Sequence, residues 1–467
     1  MTKQHFLDSF FNPESVAIVG ASRNPLNFNF YLVGNLVKLG FSGRIYPVNP
    51  NADEILGMKA YASVKDIEDG IDLVVSAVPA RMTLDIMKEC VDKKVKCVVL
   101  VSGGFSEGGA QGDKMQDEIA SLLKRNGIRA IGPNALSPIN SLNNLAISFF
   151  PLEKLIGGGV SFIFQSGLYE PRLKWLFSDY HLGISKLIDL GNKMDINEVD
   201  ALEYLADDPD TKVIAIHLES VKGDGRRFVQ LLKNTSEKKP VVVLKSGRTA
   251  AGAKAAASHT GSMARGSDAV FDAMLKQSGV IRAQTIEDFL DFAKAFEFLS
   301  PPTGNRIAIG SMSGGEGVLA IDMCQREGFT MAKAEYTTFD RLKSILPPWE
   351  TPLNPFDLGV CVQFHPFLDV YKKFLESMVG DKNVDGVVVG LPPIGILFES
   401  EGAHKPFLLG KEKKKPVVLW THAVDESLNA LVEKLEWEGV PVYPSAERAI
   451  KALSVVYKYK LMHERAS

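Results

Sequence analysis

Short apolar runs rich in β-branched residues alternate with helical patterns along the whole chain, and this most limits what it can fold into. VAIVG (Val16–Gly20), GRIYPVN, DLVVSAV, KCVVLVSGG and IRAIGP form a first series, each bounded by Gly, Pro, Asn or Ser. A run that is apolar on both faces needs cover on both faces, as in a parallel sheet. The intervening segments, such as TLDIMKECVDKK, carry apolar residues at helical spacing. This alternation predicts a doubly wound α/β domain. The pattern then restarts twice. VSFIFQSG, ISKLIDLGN, VIAIHLES and PVVVLKSG form the second series; RIAIGSMSGG, VDGVVVGLPP, KPVVLWT and VPVYP form the third. The last two series share a layout of strand, Ser/Gly turn and helix, a weak internal duplication. Seams fall near residues 132–145 and at Leu299–Asn305, a Pro/Gly hinge. The expected domains are therefore 1–130, 131–300 and 301–467.

Composition narrows the function classes. Lys plus Arg is 53 and Asp plus Glu is 56, a net charge of −3. Such a chain has no bulk attraction for nucleic acid or anionic membrane. No apolar run is long enough to span a bilayer, and MTKQHFLDSF reads as neither a signal nor a transit peptide. Cys90, Cys97, Cys324 and Cys361 lie far from any CxxC spacing, which argues against a disulfide scaffold or a cysteine-held metal. These readings predict a soluble, cytoplasmic protein.

Ligands of doubly wound sheets bind beyond the carboxyl ends of the strands, so the residues there are the candidates. Gly20, Ala21 and Ser22 end a strand in small residues that let backbone N–H groups approach a phosphate. The turn is not GxGxxG, so NAD is not the default ligand. PVNPN, SAVPA and SGGFSEGG fall at further strand ends of the same series, and together they point to a nucleotide-like ligand. In IFQSG, the turn Gln165, Ser166, Gly167 lacks the GxSxG of a nucleophile elbow and reads as a set of anion donors. GNKMD, with Asn192, follows the next strand and is expected to line the same pocket. GRTAAGAK lacks the GK[ST] ending of a Walker loop. His259 follows in SHTGS, a small-residue stretch expected to be a flexible loop, which suits a solvent-reachable nucleophilic imidazole. Glu219 ends an apolar strand, where a carboxylate has no packing value. It is expected to orient His259. SMSGGEG is either a phosphate nest or a packing turn.

Taken together, VAIVGASRNP, GRIYPVNPN, SGGFSEGG, GPN, FIFQSG, LGNKMD, HLESVKGDGRRF, KSGRTAAGAKAAASHTGS, QSGVIRA and SGGEGVLAIDMCQREG resemble, in the same order, the α-type part of the NDP-forming acyl-CoA synthetases. This is the superfamily of succinyl-CoA synthetase, and the resemblance is to its ADP-forming acetyl-CoA branch. It implies a CoA-binding Rossmann-like domain followed by two flavodoxin-like domains. It implies that His259 is phosphorylated and that Glu219 stabilises the phosphohistidine. Coenzyme A would lie near Gly20, Ala21, Ser22 and Arg23, Val48, Asn49 and Pro50, Ala77, Val78 and Pro79, Ser102, Gly103 and Phe105, and Asn134. Phosphate would meet Gln165, Ser166, Gly167 and Asn192. The implied reaction is acyl-CoA + ADP + phosphate ⇌ carboxylate + CoA + ATP. No ATP-grasp portion is present, so ADP/ATP and Mg²⁺ are expected on a separate β-type subunit, in a hetero-oligomer or around an α-subunit dimer. Two alternatives use the same scaffold. One is a CoA-dependent acyl or carbamoyl transferase, motivated by Leu168–Pro171. The other is a non-catalytic CoA-sensing subunit.

Overall fold

The computed structural model describes residues 5–165, 167, 173–260, 267–349, 353–422 and 426–464, with the backbone alone described over 256–260. The chain forms two compact units, residues 1–284 and 285–467.

The first unit contains two large sheets. Strands β1 (Ser15–Val19), β2 (Arg44–Val48), β3 (Glu54–Ile55), β4 (Met58–Lys59), β5 (Leu73–Ser76), β6 (Cys97–Leu100) and β7 (Arg129–Ile131) come first. Five of them form a parallel sheet in the order β2-β1-β5-β6-β7, with β3 and β4 a small antiparallel ribbon. Next come β8 (Ile139–Asn140), β9 (Leu145–Ala146), β10 (Gly157–Phe164), β11 (Ile184–Asp189), β12 (Val213–Leu218), β13 (Val241–Lys245) and β14 (Ile281–Ala283). Their order is β14-β13-β12-β10-β11-β8-β9, parallel except for β8 and β9. The strands expected from the apolar runs of the first two series are therefore present.

Alternate residues of one strand enter different cores, as the two-residue period of a strand requires. Val16 and Ile18 of β1 join a core that also holds Ile163, Ile188, Ile214 and Ile216 of the second sheet. Ala17 and Val19 face the opposite core with Val74, Val98 and Met87. Helix Ala80–Asp92 buries Thr83, Met87 and Cys90, one stripe at helical spacing.

The second unit is built on β15 (Arg306–Ser311), β16 (Thr330–Met331), β17 (Phe356–Asp357), β18 (Gly386–Gly390), β19 (Val417–Trp420) and β20 (Val442–Tyr443). The order β16-β15-β18-β19-β20 is again parallel, with β17 added beside β15. Its core gathers Val387, Val389 and Leu419 with Phe374 and Phe407. All four cysteines are buried thiols. Among the described residues, no helix is long and apolar enough to cross a membrane.

One expectation is corrected here. The small-residue stretch after Arg248 is a helix over Ala250–Thr260 and not a loop. Six of its eleven residues are alanine, the strongest helix former, and that propensity outweighs the single Gly252.

Candidate functional site

In each large sheet of the first unit, the connection from the first parallel strand leads to one side and the later connection to the other. The two switch points are β1/β5 in the first sheet and β10/β12 in the second. Strand-end backbone groups diverge there and leave a crevice. Gly20 follows β1 at φ +85°, and a Cβ there would lie 3.0 Å from the Ala77 carbonyl oxygen, so the turn requires glycine. The Asn29 amide donates to the carbonyls of Gly20 (2.9 Å) and Ala77 (3.1 Å), and the Asn49 amide donates to that of Ala21 (2.8 Å). These bonds set the rim of the crevice.

The rim sorts the first set of candidates. Arg23, Pro50, Pro79 and Gly103 are exposed, and Ser22, Asn49, Ser102 and Asn134 are half-buried. Ala21, Val48, Ala77, Val78 and Phe105 are buried among core side chains. They can offer a ligand only their backbone. Asn134 adopts φ +59°, and its N–H donates to Ser102 (3.0 Å), which ties the 132–134 turn to the Ser102 turn.

At the second switch point, the turns after β10 and β12 meet directly. The Gln165 amide oxygen accepts from the backbone N–H groups of Glu219 (2.9 Å) and Ser220 (3.0 Å) and from the Lys193 ammonium (2.9 Å). Three donors leave no doubt which end of the amide is oxygen. Lys193 also donates to Glu198 (2.9 Å) and to the Ser220 carbonyl (2.7 Å). The second Glu198 oxygen accepts from the N–H groups of Lys222 (2.7 Å) and Gly223 (2.8 Å). Gln165, Lys193, Glu198 and Glu219 are all buried. Burial holds the Lys193 ammonium below its usual pKa, against the pull of Glu198.

Asn192 joins the two sheets. Its amide nitrogen lies 2.5 Å from a Glu107 oxygen and 3.3 Å from the Gln116 amide oxygen. Its Oδ1 is buried and has no hydrogen-bond partner among the described residues. Its amide N–H groups are thus engaged toward Glu107 and Gln116, and its Oδ1 is an acceptor. Burial works to raise the Glu107 pKa, but the Asn192 amide and backbone N–H groups bring it below the usual range. Asp189, at the end of β11, is raised to about 6 by burial, despite N–H bonds from Leu136 and Gly191 and with the Glu219 charge adding to the rise.

Beyond Glu219, a cavity of about 290 Å³ opens between helices Gly225–Ser236 and Asp268–Gln277. Glu219, Lys245 and Arg248 line its polar end, and Phe228, Phe271 and Met274 its apolar wall. The Lys245 ammonium donates to the Glu219 carbonyl (2.7 Å), and burial lowers its pKa. His217 lies 2.5 Å from Ser246 Oγ, and burial, with Lys245 adding to it, pushes its pKa down to about 4. A ring neutral at physiological pH, and buried, suits a structural role for this histidine.

Helix Ala250–Thr260 carries the backbone of His259 and comes up against the Ser106–Gly108 turn of the first sheet. Arg248 and Asp268 bracket the segment and pair at 3.3 Å, while Arg282 reaches the same carboxylate at 2.5 Å. Ser166 and the side chain of His259 lie outside the described residues. Gly167 is exposed. Sequence reasoning missed Lys193 and Glu198. A charged pair inside LGNKMD-INE was visible, but nothing in it signalled burial.

A model described as a CoA binding domain matches residues 14–139, and one described as a succinyl-CoA ligase-like flavodoxin domain matches residues 157–296. The α subunit of acetate–CoA ligase (ADP-forming) I of Pyrococcus furiosus is 37% identical, with 97% of each chain covered. An ADP-forming acetate–CoA ligase of Methanocaldococcus jannaschii is 39% identical over 96% of this chain and 63% of that protein. Among solved structures, the dinucleotide-forming acetyl-coenzyme A synthetase 1 of Ca. Korarchaeum cryptofilum, in complex with phosphate and ADP, superposes with a TM-score of 0.87. It is 32% identical, with 98% of this chain and 97% of that chain covered.

Proposed function

The chain belongs to the ADP-forming acetate–CoA ligase family, and on that premise we propose that it is the α subunit of an ADP-forming acyl-CoA synthetase. It interconverts acyl-CoA, ADP and phosphate with carboxylate, CoA and ATP. Phosphate attacks the thioester carbonyl, the CoA thiolate leaves, and an acyl phosphate forms. The His259 imidazole then attacks phosphorus and releases the carboxylate. The phosphoramidate so formed is a reversible, high-energy carrier. ADP accepts the phosphoryl group in the last step.

The observation that carries this reading is the approach of the His259 helix to the Ser106–Gly108 turn. It supports a reading in which the segment following the CoA candidates Ser102, Gly103 and Phe105 lies against the helix that carries the expected phosphohistidine. Coenzyme A lies along the first switch point, past the Gly20 turn and the exposed Gly103, and the exposed Arg23 offers a cation to its phosphates. Glu219 stabilises the phosphohistidine. Gly167, Ser166 and backbone N–H groups of that turn receive the phosphoryl oxygens, and Gln165 acts by holding the turn.

ADP and Mg²⁺ are held by an ATP-grasp β subunit. The subunit name of the Pyrococcus relative and the length of the Methanocaldococcus relative beyond this chain support a partner. The proposed domain division is 1–130, 131–300 and 301–467; three large sheets support three domains, although β7 runs on to Ile131 and the second compact unit begins at Thr285. Mixing the chain with its partner, acyl-CoA, ADP and phosphate tests the reading. ATP should form with wild type and not with His259→Ala. Acyl exchange that needs neither phosphate nor nucleotide would instead identify a transferase.

A further inference from the structure

Five polar backbone groups of the turn after β12 are held by three buried side chains, beside the Glu219 carbonyl that Lys245 holds. Gln165 takes the N–H groups of Glu219 and Ser220, Lys193 takes the Ser220 carbonyl, and Glu198 takes the N–H groups of Lys222 and Gly223. These side chains come from the residue after β10, the turn after β11 and the first residue of helix Glu198–Asp207. Lys193 is the only one of the three that bonds to both of the others. It is 2% exposed and its backbone is left-handed, at φ +54°. Burying an ammonium and a carboxylate costs more than a well-packed apolar pair would. A fold that needed only stability at this place would not need the ion pair.

We propose that Lys193 is a positioning residue for Glu219: through Gln165 and Ser220 it fixes the turn from which the Glu219 carboxylate meets the reacting histidine. This rests on the phosphohistidine reading of the site. Lys193 touches neither substrate nor His259 in this role. Its ammonium locks the Gln165 amide, and the amide locks the Glu219 backbone.

The experiment uses the full chain with its partner and compares Lys193→Met, Glu219→Gln and the double variant. Lys193→Met/Glu198→Gln serves as a second form, since it removes the unpaired buried charge and keeps an acceptor for Lys222 and Gly223. Misplacing a catalytic group by about 1 Å can cost about 100-fold, so kcat should fall about 10- to 100-fold in both Lys193 forms. KM for acyl-CoA and affinity for CoA should stay within about threefold, because the first sheet is untouched. In the Glu219→Gln background, Lys193→Met should cost less than about twofold more, since the group it positions is already lost. A role in folding alone would multiply the two losses and lower CoA affinity as well. Either result, or wild-type kcat in both Lys193 forms, overturns the proposal. Absence of phosphate on wild-type His259 would instead overturn the functional reading beneath it.

Discussion

A carboxylate buried at the end of an apolar strand has to be accounted for, because its desolvation is costly and it contributes no packing. Glu219 is such a residue, 7% exposed, with its N–H held by Gln165. Its replacement by Gln keeps the shape and removes the charge. Turnover should then fall about 100- to 1,000-fold with CoA affinity unchanged, measured as steady-state ATP formation and CoA titration. His217, two residues earlier, gives a different prediction. Its folded pKa of about 4 lies below the usual 6.5, so the unfolded chain binds its proton first. The stability it contributes is complete above pH 6.5 and is lost as pH falls toward 4, about 3 kcal/mol in all. Urea unfolding of His217→Gln from pH 7 to pH 4 should show a correspondingly shallower acid loss than wild type. Sequence could nominate Glu219, because a charge at a strand end stands out against VIAIHL. It could not nominate Lys193, whose burial depends on β10, β11 and β12 arriving together from 55 residues of separation.

At the scale of elements, the strands were legible because each run is apolar on both faces and bounded by turn residues. Helix Ala250–Thr260 was misread as a loop, because Gly, Ser and Ala suggested flexibility while the alanines in fact favour a helix. The close approach of two turns was not legible at all. Gly191 sits at φ +52°, and a Cβ there would lie 2.2 Å from the Pro133 carbonyl oxygen. Gly191→Ala should therefore cost more than about 2 kcal/mol by urea unfolding. A milder loss is expected at the start of helix Gly225–Ser236, which forms one wall of the cavity beside Glu219. Asp224 accepts there from the N–H groups of Arg226 (2.9 Å) and Arg227 (3.2 Å), and Asp224→Ala should cost about 1 kcal/mol.

At the scale of the whole molecule, the account divides one reaction between two places. In the proposed function this chain cleaves the thioester and holds the phosphoryl group, and the partner holds the nucleotide. The chain alone should therefore phosphorolyse acyl-CoA once and stop, with at most one CoA released per His259 until the partner and ADP are added. A thiol-trapping assay of CoA release with and without the partner measures this. Nothing in composition could separate the two roles. The separation rests on the relatives, one named as an α subunit and one longer than this chain; the meeting of the His259 helix with the Ser106–Gly108 turn, across more than 140 residues of sequence, was likewise not legible. The central claim is that phosphate resides on His259. Wild type and His259→Ala are incubated with phosphate and a panel of acyl-CoAs, and intact mass is read at alkaline pH, where phosphohistidine survives. The account predicts one added phosphate on wild type and none on the variant, with the most effective acyl-CoA identifying the substrate. Equal masses with CoA still bound would contradict it.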